Sequence, residues 1–536
     1  MTPRPASVPD PADAASQRTL YQWFENTALR LPNHPALEIG TEVLTYAQLR
    51  ATALTLAEQL VRKHGGVPRR VALVASRTVA AYAGYLAIQR LGASVVPLNP
   101  DHPEPRNLDV AQRAGIEAAL VDATSGGLFQ LLPERYRPTV LELSDDDRAG
   151  TDPLGTGLPP VPDALNSEAY LIFTSGSTGQ PKGVPILHRH VSPYLSYNIS
   201  RYEMAPGCRH SQAYGLTFDV HCYDLFVTWG GGGTLVVPSV QELYRPVDFI
   251  VERELTHWSS VPSVVREAQR LGHVPLGRAV TLRHSSFGAE PVTREHVTLW
   301  REVAPHSQIH NAYGPTEVAI GCVNHLLSGP SSNWPEHTGG TVPIGVVYPH
   351  MEAALLGEDG LPAEEGELCV RGPQRFDGYL DPRENAGRFL VYEKGEGPAV
   401  VYDGSGPLTG RHWYRTGDRV RREGEVMVHC GRLDQQVKVR GHRVEIGEVE
   451  AVLRRHPHVV DVAVVPLPAE HGETELVAAY AGREVEPAAF DAWLRDQVPL
   501  HMVPSRIRLM DGLPLNDNGK TDRNALARIL GTRERS

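Results

Sequence analysis

The stretch Tyr170–Val184 reads YLIFTSGSTGQPKGV, and it changes abruptly from apolar residues to hydroxyls, glycines and one lysine. Such a change is typical of a buried strand that runs into a loop. Glycine can adopt a positive φ and bring backbone N–H groups close to an anion, while hydroxyls and a lysine add donors and charge. The stretch therefore predicts a phosphate-binding loop. Its candidate binding residues are Thr174, Ser175, Gly176, Ser177, Thr178, Gly179 and Lys182.

Two other interpretations of this loop fit the residues less well. A flexible linker rarely follows an apolar strand directly or carries a lysine between two glycines. A P-loop requires four residues between its two glycines and then Lys-Ser or Lys-Thr, whereas Gln180 and Pro181 separate Gly179 from Lys182 here. The loop instead resembles the phosphate loop of the adenylate-forming superfamily, which includes acyl-CoA synthetases, luciferases and the adenylation domains of non-ribosomal peptide synthetases. That resemblance implies that the loop holds the β- and γ-phosphates of ATP.

Length and composition are those of a globular protein with more than one domain. The 536 residues exceed what one core supports, and 41% hydrophobic and 21% charged residues are ordinary values. A net charge of −11 argues against nucleic acid or an anionic membrane as a partner. The five cysteines are widely spaced and suggest neither disulfides nor a zinc site. Without a predicted signal peptide or membrane span, we expect a cytoplasmic protein.

Strand and helix patterns alternate through most of the chain, which predicts an α/β fold with mainly parallel, doubly wound sheets. Predicted strands begin at Val71, Ser94, Thr234, Trp258, Thr281 and Gln308, with helices between them. After Asp434 the pattern changes to a helix over 445–456, strands over 459–465 and 476–480, a helix over 487–498 and a last strand over 506–509. We therefore predict a large N-terminal domain over 1–433 and a small, mobile α+β C-terminal domain over 434–536.

Four further motifs follow the loop in the order of this superfamily. In Asn311–Glu317, the resemblance implies that Tyr313 stacks on adenine, Thr316 contacts the α-phosphate and Glu317 holds Mg²⁺, a hard cation that suits a carboxylate. It also places Gly288, Ala289, Glu290 and Asn311 at the nucleotide. In Tyr414–Asp418, it assigns the ribose hydroxyls to Asp418. In Gly431–Glu445, it assigns a nucleotide contact to Arg432 and the hinge between the domains to Asp434.

The fifth motif, Pro514–Arg523, carries Lys520 near the end of the chain. By composition alone this would be a solvated lysine. The resemblance assigns it to bridging the substrate carboxylate and the α-phosphate, and a cation between two approaching anions would lower the barrier. We expect Lys520, Thr316, Glu317 and Asp434 to be the catalytic residues.

The segment Leu216–Phe226 resembles the start of the substrate pocket in amino-acid-activating members, where an Asp after Phe pairs with the substrate ammonium. Asp219 occupies that position, although it could instead be a helix N-cap. The flanking motifs place the remaining pocket at Val220, Tyr223, Ser259, Ser286, Gly288, Ala312, Ile320 and Gly321. No charge besides Asp219 and Lys520 lines this list. We therefore expect an uncharged side chain, or an amino group displaced from the α position as in a β-amino acid.

Taken together, the motifs resemble those of an amino-acid adenylation domain that requires ATP and Mg²⁺. We expect an enzyme that loads a separate carrier protein with a phosphopantetheine arm, because no carrier or condensation motif occurs in the sequence. Dependence on a small helper protein stays open. The alternatives are an acyl-CoA or aryl-acid ligase of the same superfamily, which Asp219 disfavours, and a non-catalytic homologue, which the intact Lys182, Glu317, Asp418 and Lys520 disfavour.

Overall fold

The computed structural model describes residues 17–75, 77–123, 125, 127–144, 157–176, 180–329, 340–434, 436–469, 474–514 and 521–531. The chain forms two compact units. The first unit comprises Met1–Asn99, Ala111–Ile172 and Gly183–Gly431, and the second comprises Pro100–Val110, Phe173–Lys182 and Arg432–Ser536. The predicted hinge at Asp434 stays a prediction.

The helices follow the chain in this order: α1 (Leu20–Arg30), α2 (Tyr46–His64), α3 (Val79–Arg90), α4 (Glu104–Ala114), α5 (His188–Arg201), α6 (His221–Gly231), α7 (Val240–Leu243), α8 (Pro246–Glu252), α9 (Pro262–Arg270), α10 (Arg294–Val303), α11 (Ile446–Leu453), α12 (Pro487–Arg495) and α13 (Arg523–Gly531). Among the helices of the described residues, none is both long and apolar enough to cross a bilayer.

The strands of the first half are β1 (Pro35–Ile39), β2 (Glu42–Thr45), β3 (Arg70–Val74), β4 (Ser94–Leu98), β5 (Ala118–Val121), β6 (Thr139–Glu142), β7 (Glu168–Thr174), β8 (Lys182–Leu187), β9 (Arg209–Ser211), β10 (Thr234–Val237), β11 (His257–Ser260), β12 (His284–Gly288) and β13 (Gln308–Tyr313). The later strands are β14 (Val323–Leu326), β15 (Val346–Val347), β16 (Glu352–Leu356), β17 (Glu365–Arg371), β18 (Phe389–Val391), β19 (Val400–Val401), β20 (His412–Glu423), β21 (Val426–Arg432), β22 (Gln436–Val439), β23 (His442–Glu445), β24 (Val459–Pro468), β25 (Thr474–Gly482) and β26 (Arg506–Leu509).

Local sequence explains where several helices begin and end. Thr19 caps α1, because its hydroxyl oxygen accepts a hydrogen bond from the Gln22 backbone N–H. In return, the Thr19 backbone N–H donates to Gln22 Oε1. Thr45 caps α2 in the same reciprocal way with Gln48. Each such cap satisfies two backbone donors that a helix start leaves unpaired. Helix α2 ends where Gly65 adopts a φ of +83°, a conformation that glycine takes without a steric penalty.

Two sheets of the first unit are largely parallel, as the alternating pattern predicts. One has the strand order β6-β5-β3-β4-β7-β8, and the other has the order β15-β14-β13-β12-β11-β9-β10-β1-β2. Central strands such as β4, β5 and β10 are buried at every residue, because helices cover both faces of a parallel sheet. A third sheet, β16-β17-β20-β18-β19 with β21 beside β20, is antiparallel where its pairing is described.

The second unit contains the antiparallel hairpin β22-β23 and the three-stranded sheet β24-β25-β26. Helices α11 and α13 pack on β24. Its apolar core includes Val449, Leu453, Val464, Tyr480 and Leu494, so the helix stripe and the strand faces meet as their periodicity predicts.

Most predicted elements are found, with differences at their ends. Strands β4 and β10 begin at the predicted residues, and β26 has both predicted bounds. Strand β12 begins at His284, so the prediction of a strand from Thr281 is wrong over its first three residues. Helix α12 ends at Arg495 and not at Val498. Boundaries differ because local propensity is weak where packing decides how far an element extends.

Candidate active site

Three neighbouring parallel strands of the first unit carry four of the predicted pocket residues. In the pairing of β11 with β12, Ser259 lies opposite Ser286, and in the pairing of β12 with β13, Gly288 lies opposite Ala312. The carboxyl ends of parallel strands meet at one edge of a sheet, where ligands of such folds bind. The structure therefore brings together residues that are separated by up to 53 positions of sequence.

Gly288 is required by its surroundings. A Cβ atom at this position would lie 2.7 Å from the carbonyl oxygen of Ala312, closer than real Cβ contacts. The next residue, Ala289, has a φ of +63°, which is costly for a residue other than glycine. Strained backbone of this kind is common where a ligand site fixes the chain.

Asp219 is buried in the turn that precedes α6, with 8% of its surface exposed. The capping position of α6 is Val220, one residue after Asp219. The alternative interpretation of Asp219 as an N-cap is therefore wrong. One turn into the helix, the ring of Tyr223 packs edge-on against Tyr194 and Tyr202, with centroids 6.3 and 5.5 Å away.

Tyr202 contacts a predicted pocket residue, and the sequence motifs did not single it out. Its hydroxyl lies 3.3 Å from Ser286 Oγ and accepts a hydrogen bond from Asn324 Nδ2 at 3.2 Å. Burial raises the pKa of Tyr202 above its ordinary value, so the hydroxyl keeps its proton. Tyr202 directly follows α5 and contacts Ser286, which is 84 positions away in sequence. No local pattern marks such a contact.

The second and third nucleotide motifs meet at a buried hydrogen bond. The Tyr313 hydroxyl donates to Asp418 Oδ2 at 2.5 Å, and His429 Nε2 lies 2.9 Å from Asp418 Oδ1. Burial, the Asp418 charge and the hydrogen bond to it raise the pKa of Tyr313 well above its usual range. Asn311, two residues earlier, donates from Nδ2 to the Pro343 carbonyl at 2.9 Å.

The predicted magnesium ligand, Glu317, is fully buried in the short 3-10 turn Thr316–Val318. Its Oε1 accepts a hydrogen bond from the Tyr379 hydroxyl at 2.7 Å. The Glu317 carbonyl oxygen also accepts from the backbone N–H of Phe376 at 2.9 Å. A carboxylate oxygen held in one orientation fits a hard cation such as Mg²⁺.

The loop after Glu317 is held by Gln374, a buried residue that no sequence motif indicated. Its Nε2 donates to the carbonyls of Val318 at 3.0 Å and Gly321 at 2.8 Å. Between them, Ala319 and Ile320 have φ values of +53° and +81°. The hydrogen bonds of the Gln374 amide therefore offset part of the cost of the strained backbone beside the predicted pocket residues Ile320 and Gly321.

Glu290 has a partner that the motif comparison did not suggest. Its carboxylate accepts from the Ser263 backbone N–H and hydroxyl, both at 2.8 Å, and from Arg266 at 3.0 Å. Ser263 lies in the first turn of α9, where a carboxylate interacts favourably with the exposed N–H groups. This carboxylate fixes α9 beside β12, and its predicted nucleotide contact stays a prediction.

In the second unit, the described part of the phosphate loop contacts the hairpin. Ser175 Oγ donates to the Arg443 carbonyl at 2.7 Å and accepts from the Glu445 N–H at 3.1 Å. Thr174 is the last residue of β7, and Lys182 is the first residue of β8. The Lys182 side chain is buried. A Cβ atom on Gly176 would lie 2.0 Å from the Gln180 carbonyl oxygen, so only glycine fits there.

Arg432 and Asp434 pair with each other in the second unit. Arg432 Nε donates to Asp434 Oδ1 at 2.7 Å and its terminal nitrogen donates to Oδ2 at 2.9 Å, a bidentate arrangement. Burial alone would raise the pKa of Asp434, but the hydrogen bonds and charge of Arg432 outweigh it and lower the pKa below its ordinary value.

Four predicted residues, Ser177, Thr178, Gly179 and Lys520, lie outside the described residues. Within the described ranges, no group of three or more His, Cys, Asp or Glu side chains is arranged to hold a metal ion. A site built from one carboxylate, water and phosphate oxygens is not of that kind.

Comparison with known proteins agrees with this architecture. The family model described as "AMP-binding enzyme" matches residues 24–380, and the model of the C-terminal domain of AMP-binding enzymes matches residues 448–520. Phosphinothricin tripeptide synthetase PhsC of Streptomyces viridochromogenes is 32% identical over 97% of this chain, which covers 46% of that protein. The chain thus spans less than half the length of this relative.

Two solved structures are similar over almost the whole chain. IdnL7 is 34% identical with a TM-score of 0.69, and 96% of this chain aligns with 99% of that one. The adenylation domain AlmE of Vibrio cholerae, solved with glycyl-adenosine-5'-phosphate, is 25% identical with a TM-score of 0.79 over 96% and 98% of the two chains. These structures share the mixed α/β fold with a large N-terminal and a smaller C-terminal domain. The chain therefore belongs to the AMP-binding enzyme family and is an adenylate-forming enzyme similar to the adenylation domains of non-ribosomal peptide synthetases.

Proposed function

We propose that this protein activates an amino acid with ATP and then transfers the aminoacyl group to the phosphopantetheine thiol of a carrier protein. In the first step, a carboxylate oxygen of the amino acid attacks the α-phosphorus. The bond from that phosphorus to the bridging oxygen breaks, and pyrophosphate leaves. In the second step, the carrier thiolate attacks the acyl carbon, a thioester forms and AMP leaves.

The hydrogen bond between Tyr313 and Asp418 is the observation that carries this proposal. It joins an aromatic ring and a buried carboxylate over 105 positions of sequence. An aromatic face is suited to stacking on adenine, and a carboxylate is suited to accepting the hydroxyls of ribose. The two side chains together fit a nucleoside.

The phosphates require positive charge and backbone donors. Lys182 and the loop Thr174–Gly179 would hold the β- and γ-phosphates, and Thr316 would contact the α-phosphate. Mg²⁺, when bound, neutralises phosphate charge, and the buried Glu317 carboxylate would hold it. Lys520 would lie between the substrate carboxylate and the α-phosphate, where a cation offsets the charge that builds on phosphorus.

Asp219 supports an amino acid as the substrate. Asp219 is a buried carboxylate, and a substrate ammonium that is desolvated together with it would form a favourable ion pair. The remaining predicted pocket, from Val220 and Tyr223 to Ile320 and Gly321, contains no other charged residue. We therefore propose an uncharged side chain, or an amino group displaced from the α position as in a β-amino acid.

A pyrophosphate-exchange panel of α- and β-amino acids tests the first step. We expect exchange with a small set of uncharged or β-amino acids, and preference for Asp, Glu, Lys or Arg would contradict the pocket assignment. Lys520→Ala should lower the exchange rate by at least about 100-fold, whereas Lys394→Ala, at an exposed position, should not. Transfer to free CoA in place of a carrier protein would favour the ligase alternative. Absence of exchange with every carboxylate would favour a non-catalytic homologue.

A further inference from the structure

Asp418 is held from two sides by side chains of two different sheets. Tyr313, which ends β13, donates its hydroxyl proton to Oδ2 at 2.5 Å. His429 lies on β21, the neighbour of the strand β20 that carries Asp418, and its Nε2 is 2.9 Å from Oδ1. The sequence motifs accounted for Tyr313 and Asp418, but they assigned nothing to His429.

The chemistry of these three groups fixes which atom donates. Burial and the neighbouring Asp418 charge raise the pKa of Tyr313 well above its usual range, so its hydroxyl stays protonated and donates. A carboxylate accepts hydrogen bonds, which requires the His429 tautomer that carries its proton on Nε2. With Asp418 only 6% exposed, each oxygen is anchored by a separate element of the fold.

A carboxylate that is anchored at both oxygens cannot rotate freely about its terminal bond. A group whose orientation is fixed before binding loses less conformational entropy when a ligand binds. This matters most for a vicinal diol, because its two hydroxyls must reach the carboxylate in one geometry. A freely rotating carboxylate would bind one hydroxyl almost as well as two.

We propose that His429 is a positioning residue that, together with the Tyr313 hydroxyl, orients the Asp418 carboxylate toward both ribose hydroxyls of ATP. His429 thereby sets the preference of the site for ribonucleotides over deoxyribonucleotides. This inference rests on the proposed function, which assigns the ribose to Asp418. The ordinary alternative is that His429 only stabilises the pairing of β20 with β21.

The test uses the full-length protein and three nucleotides, ATP, 2'-deoxy-ATP and 3'-deoxy-ATP. His429→Phe keeps a ring of similar size but removes the donor, and His429→Gln keeps an N–H donor on the side chain. The matched control is His306→Phe, at an exposed position in the turn between α10 and β13. Dissociation constants are measured by titration calorimetry without amino acid, and the folding of every variant is checked by its thermal midpoint.

For His429→Phe we expect about tenfold weaker binding of ATP, with less than about threefold change for either deoxynucleotide. His429→Gln should recover most of the loss, and His306→Phe should bind like the parent protein. If His429→Phe does not fold, Tyr313→Phe is used instead, because it removes the other hydrogen-bond donor to Asp418. That variant should also show a smaller preference for ATP over the two deoxynucleotides. The inference is overturned if His429→Phe binds all three nucleotides more weakly by the same factor, or if it binds none of them more weakly.

Calorimetry separates this inference from the proposed function. If the parent protein prefers ATP over the deoxynucleotides and His429→Phe loses that preference, the inference holds even when no carboxylate supports exchange. If exchange with an amino acid is observed but His429→Phe keeps the full ribose preference, the proposed function stands and the role of His429 is overturned.

Discussion

The Tyr379 hydroxyl donates to Glu317 Oε1 at 2.7 Å, and the two residues are 62 positions apart in sequence. Both side chains are buried. A buried carboxylate that accepts such a bond has a defined orientation, so Tyr379 determines how Glu317 can face a cation.

Tyr379→Phe should therefore raise the Mg²⁺ concentration needed for half-maximal pyrophosphate exchange by roughly three- to tenfold, because ligand orientation contributes to metal affinity. It should also lower the free energy of unfolding by about 1–3 kcal/mol, since a buried acceptor loses its donor. Tyr402→Phe is the control, because that hydroxyl donates to the Gly406 carbonyl on the surface. If Tyr379→Phe requires the same Mg²⁺ concentration as the parent protein, Tyr379 does not orient Glu317 for metal binding.

Gln374→Leu should destabilise the loop that follows Glu317. The amide of Gln374 donates to the carbonyls of Val318 and Gly321, and leucine of similar length leaves both acceptors buried without it. We expect a loss of about 2–3 kcal/mol of stability in urea unfolding and a higher KM for the amino acid. A change in stability with no change in this KM would mean that the loop conformation does not shape the substrate pocket.

Asp219→Asn should weaken the binding of the amino acid more than the binding of ATP. In the proposed function the Asp219 carboxylate is the counterion of the substrate ammonium, and the asparagine variant would lack that charge. We therefore expect KM for the amino acid to rise by about 30- to 100-fold while KM for ATP changes little. Exchange kinetics with each substrate varied in turn measure both values. Asp359→Asn, on an exposed turn, is the control. Parallel increases in both KM values would speak against an ammonium contact.

Stability should fall in mild acid because several buried histidines resist protonation. Burial lowers the pKa of His257 to about 4 and the pKa values of His188, His296 and His310 to about 3. Below pH 6.5 the unfolded chain binds protons that the folded chain does not. The free energy of unfolding therefore decreases as the pH falls from 6.5 toward 4, by up to ~1.4 kcal/mol per pH unit for each histidine. Urea unfolding at several pH values between 5 and 8 measures this slope.

His296 offers a direct check of that mechanism. Its ring is buried against Phe287, and among the described residues neither of its nitrogens has a hydrogen-bond partner. His296→Leu should stabilise the protein, and the gain at pH 5 should exceed the gain at pH 7 by ~2 kcal/mol, because the unfolded leucine variant gains no proton there. A destabilised variant at both pH values would indicate that the imidazole has a partner, such as a bound water.

The sequence by itself determined the alternation of strands and helices and the positions of the five motifs, because both depend on residues that are close in the chain. Hydrophobic periodicity predicted the parallel sheets, and the apolar-to-glycine change at Tyr170–Val184 predicted a strand and a loop. The resemblance of five motifs was enough to predict the enzyme family that the comparisons support.

Only the tertiary structure decided which side chains hold those motifs in place. Tyr379 reaches Glu317, Gln374 reaches the loop behind it and His429 reaches Asp418 through contacts that join separate elements. No local pattern marks a tyrosine or a glutamine for such a role, since either residue could equally face solvent. Their partners are set by how strands and loops pack, and packing depends on residues far apart in the chain.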